Sequence, residues 1–400
     1  MIDSKFHIAN RLKVNDSIPK GLFVVAANNQ MQSSNDSAFR FKQEANFWWL
    51  TGINQPDWLV IIDGLQNKSW LVNPNISDVH QVFYGSLQSD AAKKISGINK
   101  VISQDEATII MNDLSKKHNV VYTVGSTNNS KDFDFVLNPA QQKLHHKLES
   151  IFEDVQDCNL NLAKLRAIKQ PNEITEIKKA INLTVEAFNI VKQKLPKLEF
   201  EYQVEAEFSY YFRSNGADGH AFDPIVASGE NACTLHYHEN NSLLKNNNLM
   251  IMDIGAQIGG YSADISRTFA VGKPTKRQIA VHQAVQMAHQ QIIDIIRPGL
   301  KIADYQKHVD VIMQSALREL NLLKTPDDYH RYFPHSVSHG LGVDTHDSLG
   351  QPTEFLPGMV ITVEPGIYIA QEGIGVRIED DILITTTGCQ NLSAALSTSL

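Results

Sequence analysis

The stretch LMIMDIGAQIGGYSADIS at residues 249–266 decides the fold of the second half of the chain. Gly259-Gly260 separates two apolar runs, which is typical of a β-hairpin closed by a two-residue turn. Such a turn would place Asp253 opposite Ser266 and make Asp253 a diagonal neighbour of Asp264. The two aspartates would lie about 7–8 Å apart at the backbone, and their side chains could converge on one cation or two.

The segments around this hairpin combine strand and helix patterns. Strands are predicted where β-branched runs are bounded by glycine or proline, at 249–256, 262–271, 359–368 and 375–385. Helices are predicted where apolar residues recur every three or four positions, at 174–195, 279–297 and 302–320. We therefore expect an α+β domain with helices packed on a mostly antiparallel sheet.

The first half is predicted to be a separate α/β domain. Its length fits this division, because 400 residues suggest two or three domains of roughly 100–200 residues each. Buried strands are predicted at 21–27 and 58–63, and a polar helix at 144–163. We place the boundary near residue 160, which gives an N-terminal domain at 1–160 and a C-terminal domain at 161–400.

Composition excludes several classes of function. The net charge of −8 argues against a nucleic-acid or anionic-membrane partner, since phosphate contacts need clustered positive charge. Cys158, Cys233 and Cys389 are far apart, which indicates neither a disulfide framework nor a thiolate zinc site. The first sixteen residues lack the apolar core of a secretory signal, so a cytoplasmic location is expected.

Charged residues within apolar segments indicate a metal site. Four carboxylates lie in predicted strands, namely Asp253, Asp264, Glu364 and Glu379. Each alone is more often an ion-pair partner than a ligand, but burying four without compensation would be costly. Three imidazoles follow within twelve residues, at His335, His339 and His346, although a lone histidine is usually a packing residue. Ligation by oxygen with one imidazole suits Mn²⁺ or a related divalent ion.

The chain resembles the pita-bread metallopeptidases, and within them the Xaa-Pro aminopeptidase (aminopeptidase P) and prolidase group. The second half carries the specific motifs: Ser228-Gly229-Glu230-Asn231, Leu235-His236-Tyr237, Ser338-His339-Gly340-Leu341-Gly342, His346-Asp347, Glu364-Pro365-Gly366 and Arg377-Ile378-Glu379-Asp380-Asp381. The first half is similar to the accessory domain of the aminopeptidase P and creatinase proteins through Phe39-Arg40-Phe41-Lys42-Gln43 and Phe47-Trp48-Trp49-Leu50-Thr51-Gly52.

The resemblance implies a two-metal centre in a creatinase/aminopeptidase-like fold. Asp253 would chelate one metal, Asp264 and Glu379 would bridge both, and His339 with Glu364 would hold the second. Mn²⁺ is the expected metal, and Co²⁺, Zn²⁺ and Fe²⁺ are also compatible. A hydroxide bridging the two metals would attack the peptide carbonyl.

The resemblance also implies roles for residues around the metals. Glu364 would take the proton from the water, and Arg377 would orient a bridging carboxylate. His236 and His346 would steady the oxyanion or pass a proton to the proline nitrogen, and His335 and His346 would form the proline pocket. Asp36 would be contributed by a neighbouring subunit of a homo-oligomer, either a dimer or a tetramer.

The expected activity is that of an Xaa-Pro aminopeptidase, which removes the first residue from peptides with proline second. An Xaa-Pro dipeptidase (prolidase) is the main alternative, and the two differ in whether peptides longer than a dipeptide are cleaved. A metal-free binding relative or a creatinase-like enzyme is a minor alternative, which the presence of all five ligand positions disfavours.

Overall fold

A computed structural model of the chain describes residues 2–125 and 133–400. They form two compact units, Ile2–Leu165 and Arg166–Leu400. The expected boundary at residue 160 falls inside a helix, Asn159–Ala167, and the division between the units lies near the end of that helix. Among the described residues, no helix is both long and apolar enough to cross a membrane.

The unit Ile2–Leu165 is an α/β domain, as predicted. Its elements are α1 Ser4–Ser17, β1 Leu22–Ala26, β2 Gln32–Ser34, β3 Ser37–Ala38, α2 Ala45–Thr51, β4 Leu59–Asp63, β5 Lys68–Val72, α3 Asp78–Tyr84, α4 Ser89–Ser96, β6 Val101–Ile102, α5 Gln104–Ser115, β7 Val120–Thr123, α6 Ala140–Glu149, β8 Asp154–Asp157 and α7 Asn159–Ala167. Six strands form one mixed sheet in the order β6-β5-β4-β1-β7-β8.

Both faces of this sheet are covered, which explains why β1 and β4 are apolar without alternation. Phe23 and Val25 pack on one face with residues of α1, α2 and α4, while Leu22 and Val24 pack on the other with residues of α5 and α6. The predicted strands at 21–27 and 58–63 are confirmed. The predicted helix at 144–163 is wrong, because β8 interrupts it.

The unit Arg166–Leu400 contains α8 Pro171–Lys194, α9 Glu201–Ser214, β9 Gly219–His220, β10 Ile225–Ser228, β11 Asn248–Ile254, β12 Ala256–Ile258, β13 Tyr261–Ser262, β14 Ile265–Val271, α10 Lys276–Ile295, α11 Ile302–Glu319, α12 Asp328–Tyr332, β15 Val360–Val363, β16 Gly366–Ile369, β17 Ile374–Arg377, β18 Asp380–Ile384 and β19 Cys389–Asn391. Every strand pair in this unit is antiparallel. The α+β prediction is therefore confirmed.

The predicted hairpin forms with the expected register. Ile258 pairs with Tyr261 across the Gly259-Gly260 turn, and farther along Asp253 pairs with Ser266. Both turn glycines have positive φ, 56° and 82°, as a turn of this kind requires. The sequence therefore predicted the placement of Asp253 opposite Ser266 correctly.

The three long helices also match their predictions. The longest, α8, begins with Pro171 in its first turn and has a capping box between Gln170 and Glu173. Helices α10 and α11 pack together over β15, β16 and β17 around one continuous apolar core. This core supports strands that flank the acidic residues.

Three of the four carboxylates lie at breaks between strands rather than within them, which corrects the prediction. Asp264 lies between β13 and β14, Glu364 between β15 and β16, and Glu379 between β17 and β18. Only Asp253 belongs to a strand. Pro365 accounts for one of the breaks, because proline has no N–H to donate to a strand ladder.

Candidate metal centre

Three overlapping groups of side chains converge in the unit Arg166–Leu400. Within each group, one potential ligand atom from each residue lies within 4.8 Å of those from the other two. The first group is Asp253, Asp264 and Glu379, the second is His339, Glu364 and Glu379, and the third is Asp264, His339 and His346. All five expected ligands are therefore brought together, and His346 joins them.

Asp253 is held from one side only. Arg377 Nη2 donates a hydrogen bond to Asp253 Oδ2 at 2.8 Å, and both side chains are buried. The other carboxylate oxygen, Asp253 Oδ1, is buried and accepts no hydrogen bond from any residue in the described ranges 2–125 and 133–400. A buried carboxylate oxygen with no partner is costly, so this atom is suited to ligate a cation.

Arg377 contacts a different carboxylate from the one expected. It was predicted to orient a bridging carboxylate, but its direct partner is Asp253. It reaches Glu379 only through Ser266, whose hydroxyl accepts a hydrogen bond from Arg377 Nε at 2.9 Å and donates one to Glu379 Oε2 at 2.8 Å. One guanidinium thus fixes Asp253 directly and Glu379 through a hydroxyl.

Backbone hydrogen bonds hold the chain at each break. The amide of Asp264 donates to Asp381 Oδ2 at 3.2 Å, and that of Glu379 donates to the Ser266 carbonyl at 3.0 Å. The amide of Glu364 donates to the Val337 carbonyl at 2.9 Å. Each break is therefore fixed by a bond outside its own strand pair.

His339 presents a nitrogen to the carboxylates. Its Nδ1 lies 3.0 Å from the Gly340 carbonyl and must be the protonated nitrogen, because a carbonyl can only accept. Its Nε2 is then free of hydrogen and lies 3.3 Å from Glu364 Oε1 and 3.5 Å from Asp264 Oδ2. A backbone carbonyl that fixes the tautomer in this way is typical of a metal-binding histidine.

The electrostatics of the cluster also fit cation binding. Burial and the nearby Glu379 raise the pKa of Asp264 well above its usual range, and burial and Glu364 do the same for Glu379. Burial raises the pKa of Glu364 to about 8, although Arg377 lowers it. Burial and the neighbouring His346 lower the pKa of His339 to about 3, which keeps its imidazole neutral. Divalent cations would relieve the repulsion among these carboxylates.

Two of the histidines predicted to contact substrate, His335 and His346, lie beside this cluster. The ring of His346 lies on that of His339, with centroids 4.1 Å apart, and His346 is exposed. His335 Nε2 lies 2.9 Å from the Tyr368 hydroxyl and its Nδ1 lies 3.7 Å from Glu364 Oε2. His236 is exposed in the loop after β10. Burial and the nearby Arg377 lower the pKa of His335 to about 4.

Asp36 is not part of this cluster. It lies in the unit Ile2–Leu165, at the exposed turn between β2 and β3, where its carbonyl accepts a hydrogen bond from the Tyr84 hydroxyl. Its expected place in a neighbouring subunit's site stays a prediction.

Tyr368 is a functional candidate that the sequence did not reveal. Its hydroxyl accepts a hydrogen bond from Arg377 Nη1 at 3.0 Å and contacts His335, so it joins the Arg377–Asp253 pair to the candidate proline pocket. Burial raises the pKa of Tyr368 to about 12. In the sequence it stands in the apolar strand Gly366–Ile369, where a tyrosine is indistinguishable from a core residue.

Known families match both halves of the chain. The model of metallopeptidase family M24 matches residues 175–386, and that of the aminopeptidase P N-terminal domain matches residues 7–122. The Xaa-Pro aminopeptidase of Escherichia coli (strain K12) is 33% identical over 405 residues, covering 94% of this chain and 91% of that protein.

Solved structures match over the whole chain. Aminopeptidase P from E. coli in its low-pH form superposes with a TM-score of 0.85 at 31% identity, covering 100% of this chain and 97% of that one. Proline aminopeptidase P II from Yersinia pestis gives a TM-score of 0.84 at 31% identity, covering 100% and 98%.

Proposed function

This chain belongs to metallopeptidase family M24, and on that premise we propose that it is an Xaa-Pro aminopeptidase, which removes the first residue from peptides with proline second. The observation that carries the proposal is the convergence of Asp253, Asp264, Glu379, Glu364 and His339 around buried carboxylate oxygens. The family implies divalent metal ions, and the chemistry of these donors fits them.

We propose two metal ions, with Mn²⁺ as the physiological metal. Asp253 would hold one ion, His339 and Glu364 the other, and Asp264 and Glu379 both, so that four carboxylates balance the charge of two divalent ions. Bound there, the ions would supply Lewis acidity and a strong nucleophile from water near neutral pH. The chain itself then needs no nucleophilic side chain.

The side chains around the cluster have complementary tasks. Glu364 is placed to take the proton of the attacking water, since its carboxylate belongs to the cluster. His346, exposed beside His339, is placed to steady the oxyanion or to protonate the departing proline nitrogen, and His236 would assist. Arg377 would keep Asp253 and Glu379 in position.

Selectivity for proline would come from the pocket beside these groups. A bond to proline is a tertiary amide with no N–H, so a site that offers the ring a fitting wall and the nitrogen no acceptor can select it. His335 and His346 would form that wall. The ring of His335 packs against Tyr368 with centroids 5.5 Å apart, which fixes its orientation.

The experiment is a panel of Xaa-Pro peptides from two to six residues, assayed with and without added Mn²⁺. We expect release of the first residue from peptides of three residues or more, stimulated by the metal. Turnover confined to the dipeptide would instead indicate a prolidase. No hydrolysis of any member under metal-loaded conditions would contradict the peptidase assignment.

We further propose that the protein is a homo-oligomer and that Asp36 acts in the site of a second copy. Its exposed position at the turn between β2 and β3 supports this role. Asp36→Ala should raise the KM of a tripeptide in an assembly of unchanged size, measured by sedimentation. A strictly monomeric active enzyme would contradict the proposal.

A further inference from the structure

A buried ionic cluster lies beneath the loop that carries His346. We call it the ionic clamp and define it as Arg166, Lys169 and Asp347. Arg166 Nη2 lies 2.5 Å from Asp347 Oδ1, and Lys169 Nζ lies 3.0 Å from Asp347 Oδ2. All three residues are at most 6% exposed. The proposed reaction gives none of them a task.

The clamp fixes the loop on one side of His346. The amide of Asp347 donates a hydrogen bond to the Gly340 carbonyl at 2.8 Å, which closes the loop from Gly340 to Asp347. Gly342 makes room for the carboxylate, because a Cβ at that position would overlap Asp347 Oδ2. The side chain of Asp347 therefore has one place to lie, and both its oxygens are bound there.

A second anchor lies on the other side of His346. Thr345 is buried, and its hydroxyl lies 3.4 Å from the Ala221 carbonyl. His346 is thus an exposed residue between two buried, bonded neighbours, with its ring on that of His339. Because the chain is anchored on both sides of His346, the backbone restricts which positions the ring can reach.

We propose that Asp347, held by Arg166 and Lys169, is a positioning residue that keeps His346 on His339 beside the metal centre. The inference rests on the proposed function, because it explains what holds His346 in the position that this function requires. Asp347 itself is not one of the five proposed metal ligands. A buried ion pair is weak evidence for stability, because removing three charges from water offsets most of their attraction, so a geometric role explains its presence better.

Asp347→Asn tests the proposal, because the amide keeps the size of the side chain and removes its charge. We expect kcat on an Xaa-Pro tripeptide to fall about 10–100-fold, the range typical when a residue that orients a site group is lost. We expect KM and the number of bound Mn²⁺ ions to stay the same. Asp344→Asn is the matched control, since Asp344 lies on the same loop, 3.5 Å from Arg166, with its side chain 39% exposed. It should leave kcat within about twofold, because a long ion pair whose carboxylate is exposed contributes little.

A double-mutant cycle separates positioning from a purely structural role. If Asp347 acts through His346, then Asp347→Asn should lower kcat no further in a His346→Ala background. Fully additive losses, an unchanged kcat, or loss of Mn²⁺ from Asp347→Asn would each overturn the proposal. If Asp347→Asn does not fold, Lys169→Met serves in the same cycle, because it keeps the Arg166 bond and should lower kcat in the same direction.

A crystal structure of Asp347→Asn gives a readout that needs no activity. We expect the His346 ring to have left the ring of His339 while the five metal ligands stay in place. A His346 ring in its wild-type position would overturn the inference even in an inactive protein. A wild-type enzyme that cleaves none of the Xaa-Pro peptides would contradict the proposed function and leave this structural comparison intact.

Discussion

Asp264 is a residue at which the contributions to metal binding and to fold stability can be measured separately. It is buried, and its carboxylate faces those of Glu379 and Asp253, which repel it when no cation is present. Asp264→Asn should therefore abolish binding of the metal pair and peptidase activity while leaving the melting temperature of the metal-free protein unchanged or higher. Bound manganese per chain and thermal melting in EDTA measure the two effects.

The exposed Asp294 provides the control for that experiment. Asp294→Asn removes one carboxylate from the surface of α10 and should change neither quantity. An Asp264→Asn protein that still bound two manganese ions would contradict the bridging role. A large loss of stability in EDTA would show that the carboxylate instead stabilises the fold.

At the scale of single residues, the acidic ligands could be predicted from the sequence better than the residues that hold them in position. A charged residue among apolar neighbours is conspicuous, and the resemblance supplied the ligand set, so Asp253, Asp264 and Glu379 could be predicted to meet. The supporting roles of Ser266 and Tyr368 could not be predicted, because a serine or tyrosine in a buried strand is common without any function. Only the fold shows that Ser266 carries the contact between Arg377 and Glu379.

Helix α2 depends on a glycine at its end. Gly52 has φ 72° and ψ 0°, the left-handed conformation that commonly ends helices, and a Cβ there would overlap the His7 ring. The ring cannot move easily, because its Nδ1 lies 3.0 Å from the Trp49 carbonyl. Gly52→Ala should lower the free energy of unfolding by about 1–2 kcal/mol, because alanine disfavours the left-handed conformation. Overlap of the new Cβ with the His7 ring should lower it by about 1–3 kcal/mol more.

Gly97→Ala is the matched control in the same unit. Gly97 ends α4 with φ 69° and ψ 15°, but its nearest neighbour is the flexible end of Ile8. Gly97→Ala should therefore lose stability only because alanine disfavours the left-handed backbone conformation. Equal losses of stability in the two variants, measured by urea unfolding, would show that the His7 contact contributes nothing.

His7 also makes the stability of its unit sensitive to acid. Burial lowers its pKa from 6.5 to about 4, so below pH 6.5 the unfolded chain binds a proton that the folded chain does not. The free energy of unfolding is therefore unaffected by His7 above pH 6.5 and falls as the pH drops toward 4. At 1.36 kcal/mol per pKa unit, the loss is up to about 3 kcal/mol. Urea unfolding at pH 7.5 and pH 4.5 measures this loss.

A variant that cannot titrate tests the assignment to His7. His7→Gln keeps a donor for the Trp49 carbonyl and should show a smaller loss of stability between the two pH values than the wild type. His146→Gln, which removes an exposed histidine of α6, should lose as much as the wild type. Equal acid sensitivity in all three proteins would rule out His7 as the cause.

At the scale of elements, periodic and turn-bounded segments were predicted well and irregular ones were not. Gly259-Gly260 fixed the register of its hairpin, and the apolar stripe of α8 fixed that helix. Strand β8, Asp154–Asp157, was missed because it is polar and mostly exposed at the edge of its sheet. The breaks at Asp264 and Glu379 were missed because their stabilising bonds come from other parts of the chain.

Metal binding should stabilise one unit of the molecule. The candidate ligands all lie in Arg166–Leu400, so Mn²⁺ at a hundredfold excess over its dissociation constant should stabilise that unit by about 2.7 kcal/mol per site. Amide hydrogen exchange should then slow in β11, β14 and β18. The strands of Ile2–Leu165 serve as an internal control, and equal slowing there would contradict a site confined to the second unit.

We propose that five side chains, spread over more than a hundred positions of the chain, hold a pair of metal ions. The most direct measurement is the anomalous scattering of manganese in crystals grown with Mn²⁺. We predict two peaks per chain. One should lie beside Asp253 and the other beside His339 and Glu364, and Asp264 and Glu379 should be close to each of the two. A manganese-loaded crystal with no peak among these side chains, or with a single peak, would contradict the two-metal centre.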